Sequence, residues 1–207
     1  TILYVDPFDF RTVSIPNLKY FISNKDTYCE VIFNLFTSDF VRNGVDDGIS
    51  KSLGGQFRFE SKDDLWEYIA KELTVGKMKY CLSYPFRNIN NTELYQIMFI
   101  TPHSAGLDKL KHAIWNTFNG AQYYRTVNVP TNQLSFLDSN NDKEMMANQY
   151  ALEAITLLRK NYQGKIIPYS LLSDTVLFKS LLMDSQLIKY LIKPYIEKGV
   201  LIKQNLV

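Results

Sequence analysis

Residues 2–10 read ILYVDPFDF. Ile2-Leu3-Tyr4-Val5 is short, apolar and β-prone, the pattern of a buried strand. It runs directly into Asp6-Pro7-Phe8, so the strand delivers a carboxylate to its own carboxyl end. Ser14-Ile15-Pro16 then reads as a helix start, with Ser14 as cap and Pro16 in the first turn. Leu18, Phe21 and Ile22 follow at helical spacing, and EVIFNLF at 30–36 is a second apolar strand. Strand, helix, strand in this order is a βαβ unit, which predicts parallel strands and an α/β fold. Asp6 then faces the cleft beyond the carboxyl ends of the strands, where open α/β sheets bind ligands. The plainer alternative is a turn in which Asp6 caps the next segment.

Working outward, residues 39–55 are polar and glycine-rich, and read as a loop or a short helix between loops. KDDLWEYIAKEL at 62–73 is amphipathic, with Leu65, Ile69 and Leu73 in register. MKYCLSYPF at 78–86 and ELYQIMFIT at 93–101 are strands joined by RNINNT, short enough to predict an antiparallel hairpin. A helix over 106–118 follows. Residues 121–146 are rich in Asn, Asp, Ser and Thr and read as a linker. The chain thus divides into an α/β domain over 1–120, this linker, and a domain over 147–207. In the last domain, helices near 151–158, 171–182 and from Asp184 are predicted, with strands at KIIPYS (165–170) and VLIK (200–203). That order outlines a winged-helix-like α+β domain, and Pro194 should kink or shorten its third helix.

Composition narrows the function classes. The 207 residues are 46% hydrophobic and include 13 Phe and 14 Tyr, enough for a sizeable core. Net charge is +2, but unevenly spread. Residues 1–146 carry 15 Lys/Arg against 17 Asp/Glu, and residues 147–207 carry 8 against 4. The basic tail permits nucleic-acid contact. Cys29 and Cys81 both lie in apolar runs, which fits a reducing cytoplasm better than a disulfide framework. With only His103 and His112 and no Cys/His cluster, no metal site is expected. No run is long enough to span a membrane.

Some methyltransferases that act on amino groups place an acidic or amide residue, a proline and an aromatic at a strand end. The side-chain oxygen and the carbonyl fixed by proline accept hydrogen bonds from the NH₂ group, and the ring stacks on a flat substrate. The wider pattern resembles the three-Cys-motif partner protein family. It runs through YVDPFDF, EVIFNLFTSDFVRN, LSYPFRN and ELYQIMFITPHSAGLDKLKHAIW, covering residues 1–118 and, more loosely, the tail. Its most specific piece is Tyr95, Phe99, Thr101-Pro102-His103, Gly106, Lys111 and Trp115. The family usually has Gly where this chain has Asp9, and Gly adopts backbone angles that Asp adopts less readily.

The resemblance implies the later part of a Rossmann-like methyltransferase sheet, a βαβ unit plus an antiparallel hairpin. It also implies S-adenosylmethionine as cofactor, bound by a glycine-rich turn expected upstream of Thr1. Asp6, Pro7 and Phe8 would handle the acceptor, either nucleic acid or another planar amine. Another chain, or a missing N-terminal segment, is expected to cover the sheet edge. Asn34, Arg42, Arg87 and His103 are substrate-binding candidates, each also readable as a surface or turn residue satisfied by local backbone. Lys111 and Trp115, at i and i+4, are explained equally by packing of the lysine stem over the ring. In the tail, Lys179, Gln186, Lys189 and Lys193 are the nucleic-acid-binding candidates. The alternative reading is a non-enzymatic adaptor that keeps the scaffold and docks DNA or protein. A metal-dependent nuclease would need Asp6, Asp9 and Asp39 to converge.

Overall fold

A computed structural model describes residues 1–24, 29–36, 47–125 and 139–203. The chain is α/β and divides into two compact units, one formed by Thr1–Leu107 with the segment from Gln122, the other by Asp108–Ala121 with the C-terminal helices.

The first unit is built on a five-stranded mixed sheet of order β1-β2-β4-β3-β5. Strand β1 (Ile2–Val5) pairs parallel with β2 (Glu30–Phe36). Between them lie a 3-10 turn (Phe10–Thr12) and helix α1 (Ile15–Ser23), so the βαβ reading holds. Ser14 caps α1 by accepting from the Asn17 N–H. Helix α2 (Asp47–Leu53) ends at Gly54, where φ is +84°. There the Gly54 and Gly55 N–H groups donate to the carbonyls of Lys51 and Ser50, a Schellman cap. Helix α3 (Lys62–Leu73) opens on a Ser61/Asp64 capping box, in which each side chain accepts from the other residue's N–H. Strands β3 (Tyr80–Arg87) and β4 (Glu93–Thr101) form the expected hairpin. β4 also pairs antiparallel with β2, so it lies between β2 and β3.

The alternation of β2 decides the two faces. Val31, Phe33 and Leu35 have no exposed surface and pack with Ile15 and Ile22 of α1, Ile49 of α2, and Leu65, Ile69 and Leu73 of α3. Ile32, Asn34 and Phe36 point to the opposite face. Register carries that face across the sheet, pairing Tyr4 with Ile32, Phe36 with Tyr95, and Tyr95 with Phe86. The two-residue strand β5 (Tyr124–Arg125) pairs parallel with β3 and adds Tyr124 opposite Phe86.

The second unit is helical. Helix α4 (Ser104–Phe118) contributes its residues from Asp108 onward and is followed by α5 (Ser139–Tyr162) and α6 (Tyr169–Lys179). A last helical run comprises α7 (Asp184–Gln186), a π-helical turn (Leu187–Ile192) and α8 (Lys193–Glu197). Three expectations are corrected here. The domain division at 120/121 fails because α4 clusters with the helices from Asp108, and the linker over 121–146 gives way to helix from Ser139. Asp184 is the first residue of α7; Met183 precedes it, and the Met183 N–H donates to Gln186 Oε1. The strands expected at 165–170 and 200–203 do not form, so this unit has no strand among its described residues. At 200–203 the reason is local. Gly199, with φ +68°, donates to Ile196 O, and Val200 and Leu201 both donate to Tyr195 O. Those N–H groups close a Schellman cap on α8 and are lost to any ladder. Pro194 sits in the first turn of α8, and the π-helical turn just before it widens the helix where the ring would crowd the preceding carbonyls.

Candidate functional site

β1, β2 and β3 share one direction, because β1 and β3 are each related to β2 through parallel or doubly antiparallel pairing. Their carboxyl ends therefore share one end of the sheet, and Asp6 stands there. Asn34 Nδ2 donates to Asp6 Oδ1 at 2.9 Å, and the Tyr4 hydroxyl reaches Asp6 Oδ2 at 3.4 Å. The carboxylate accepts only, so it fixes the amide with Nδ2 inward to it and leaves Asn34 Oδ1 buried without a hydrogen-bond partner. Phe8, two residues on, is wholly exposed at 102%. Two residues from the oriented carboxylate, the chain thus carries a fully solvated ring.

Asp9 is compatible with this turn. Its φ is −139° and its ψ 125°, extended backbone that any residue adopts, so the position does not demand glycine. Its carboxylate accepts from the Arg11 N–H at 2.9 Å and lies 3.4 Å from Arg11 Nη1, and so caps the 3-10 turn.

The face that bears Asn34 is aromatic. Phe36 lies 6.1 Å from Tyr95, Tyr95 stacks on Phe86 at 4.6 Å, and Phe86 lies 5.7 Å from Tyr124. Burial, and then the neighbouring phenols of Tyr124 and Tyr4, push the Tyr95 hydroxyl above its ordinary range. Tyr4 and Tyr124 are exposed, and Phe36, Phe86 and Tyr95 are half-buried. Sequence reasoning missed this row. Its signal was present: β2 is apolar at both parities, which marks a strand with something to cover on each side.

The other substrate candidates part company. Arg87 ends β3 at the same end of the sheet as Asp6, but three strand spacings away, roughly 14 Å. Its guanidinium lies 4.1 Å over the Tyr123 ring and donates to Asn91 Oδ1 at 3.3 Å. His103 follows the carboxyl end of antiparallel β4 and so stands at the opposite end from Asp6. Arg42 and Asp39 lie outside the described residues.

The run from Thr101 to Trp115 has structural work throughout. The Thr101 hydroxyl donates to Glu30 Oε1 at 2.9 Å and accepts from the His103 N–H at 3.2 Å. A Cβ on Gly106 would meet the Glu30 carboxylate, and Thr101 Oγ1 at 2.5 Å, so only glycine fits. Lys111 and Trp115 both send their polar atoms to backbone carbonyls. Lys111 Nζ donates to the carbonyls of Leu177 (2.7 Å) and Leu182 (2.9 Å), and Trp115 Nε1 donates to Leu181 O (2.7 Å).

In the helical unit Lys179, Lys189 and Lys193 are exposed. Lys189 Nζ donates to the Tyr190 hydroxyl at 2.8 Å, while Gln186 is engaged with Met183 N–H. Gln186 and Lys189 line a shallow cleft of about 360 Å³ with Trp115, Lys143, Glu144 and Tyr190. Among the described residues no group of three His, Cys, Asp or Glu side chains is placed to hold a metal, and no helix is long and apolar enough to cross a membrane. No protein-family model, curated protein or solved structure matches this chain.

Proposed function

We propose that the α/β unit is the acceptor-binding, later part of a Rossmann-like, S-adenosylmethionine-dependent methyltransferase domain. The observation that carries this reading is the Asp6 carboxylate, oriented by Asn34 and Tyr4 at the carboxyl end of a parallel strand pair, with Phe8 exposed beside it. In this reading Asp6 and the carbonyl of Pro7 accept the hydrogens of a planar amine, such as a nucleobase, and Phe8 stacks on its ring. Holding both hydrogens aims the nitrogen lone pair, and such positioning is the main demand of in-line group transfer. The described residues do not fit the cofactor itself. β1 runs into Asp6-Pro7 without a glycine, and Gly54-Gly55 cap α2. The share assigned to this chain is therefore confined to the acceptor. Exposed Lys179, Lys189 and Lys193 give the helical unit a contact surface for nucleic acid.

A second reading, a non-enzymatic adaptor, is favoured by exposed apolar side chains at the β1 edge: Ile2 at 65%, Tyr4 at 60%, and Phe8. The two separate by titration. Adenosine should shift the Asn34 side-chain amide resonances, inosine should not, and Asp6→Ala should abolish the response. Calorimetry with S-adenosylhomocysteine, on this chain and on any longer polypeptide that contains it, tests the cofactor half. An unmoved Asn34 amide together with no calorimetric binding by either polypeptide leaves the adaptor.

A further inference from the structure

Lys111 has no exposed surface, yet its amine is not ion-paired. It reaches from α4 to the last turn of α6 and the turn that follows, where the carbonyls of Leu177 and Leu182 accept from Nζ. A neutral amine has two N–H donors, and an ammonium has three. The pocket offers two acceptors, so both hydrogens of a neutral amine are paired there. The third hydrogen of an ammonium would be buried without a partner, a costly state. The charged groups around it are Asp108 on α4, whose Oδ1 accepts from the Asp184 N–H and whose Oδ2 lies 3.3 Å from His112 Nε2, and Asp184 on α7. Tyr169, at the start of α6, faces Asp184.

We propose that Lys111 stands as a neutral amine in the folded helical unit, and that taking up a proton loosens the 177–184 turn from α4, so that the unit carries an acid-sensitive latch. Burial pulls the amine down to about 7, against the opposing pull of Asp108 and Asp184. This is independent of the proposed methyltransferase reading. The unfolded amine holds its proton up to about 10.4. Between about 7 and 10.4 the unfolded chain therefore binds one proton more than the folded chain. Stability rises with pH across that window and reaches its lower plateau below about 7. The latch bears on the segment that leads into Gln186 and Lys189, so its release would disturb the wall of the cleft they line.

The test uses the full chain in a Trp66→Phe background, with Trp115 fluorescence reporting urea unfolding of the helical unit. From pH 7.5 to 9.5 the folding constant should rise more steeply with Lys111 than in Lys111→Met, by up to tenfold per pH unit. His112→Gln should leave that difference in place, because the imidazole meets Asp108 and makes no hydrogen bond to Lys111 Nζ. Parallel pH profiles for Lys111 and Lys111→Met would overturn the proposal. Should the methionine variant fail to fold, the hydrogen count on Lys111 Nζ decides, read by side-chain nitrogen NMR at pH 8.5. Two hydrogens support the latch, and three overturn it.

Discussion

Gly106→Ala places a methyl group where the structure has no room. Gly106 lies in the first turn of α4, and an added Cβ would stand 2.5 Å from Thr101 Oγ1 and 3.2 Å from Thr101 Cβ, with the Glu30 carboxylate closer still. Thr101 is completely buried, so it cannot retreat, and the Glu30 side chain has to swing away. That breaks the Thr101–Glu30 hydrogen bond, which has a charged acceptor and contributes about 1.5–3 kcal/mol. Against it stands the gain in helix propensity from Gly to Ala, about 1 kcal/mol. The net expectation is a loss of about 0.5–2 kcal/mol. Urea denaturation of Gly106→Ala, Thr101→Val and the double variant measures it. If the clash acts through the Thr101–Glu30 bond, the two changes are strongly non-additive, because Thr101→Val has already removed that bond. A neutral or stabilised Gly106→Ala, or strict additivity with Thr101→Val, refutes the reasoning.

Two further outcomes follow from buried polar groups. Tyr150→Phe removes a hydroxyl that donates to Gly120 O at 2.6 Å in the buried interior of the helical unit, and should cost about 1–2 kcal/mol in the same urea assay; no loss would mean the Gly120 carbonyl finds another donor. Burial pushes the Cys81 thiol up to about 12, so its thiolate is scarce at pH 8 and iodoacetamide should label it at pH 8 only after unfolding in urea.

Legibility from sequence tracked how strongly each segment repeats its own period. β2 at 30–36 and β4 at 93–101, read as apolar strand runs, and α3 at 62–73, read from amphipathic spacing, were bounded correctly. The strand expected at 200–203 has equally β-prone residues, but two of its N–H groups were already claimed by the preceding helix end. Asp6 and Asn34 were legible because a βαβ unit makes two strands parallel, which brings both carboxyl ends together. His103 lies at the opposite end of the sheet from Asp6, because its strand runs the other way. The partners of Lys111 and Trp115 lie about 70 residues downstream, from position 111 to 182, beyond the reach of local spacing. The aromatic row of Phe36, Tyr95, Phe86 and Tyr124 comes from four strands, and only the register aligns them.

The position of β4 between β2 and β3 sets the order in which this sheet is easiest to assemble. β4 meets β3 across a hairpin in which Arg87 and Glu93 are 6 residues apart, whereas its pairing with β2 joins Phe36 to Tyr95, 59 residues apart. By the logarithmic cost of closing a flexible loop, the second contact is dearer by roughly 2 kcal/mol of chain entropy. The hairpin is thus a local event and the β2–β4 seam a long-range one. The half of the sheet that bears Asp6 and Asn34 pairs within itself, and it is joined to the hairpin half only once the most distant pairing in the unit has closed.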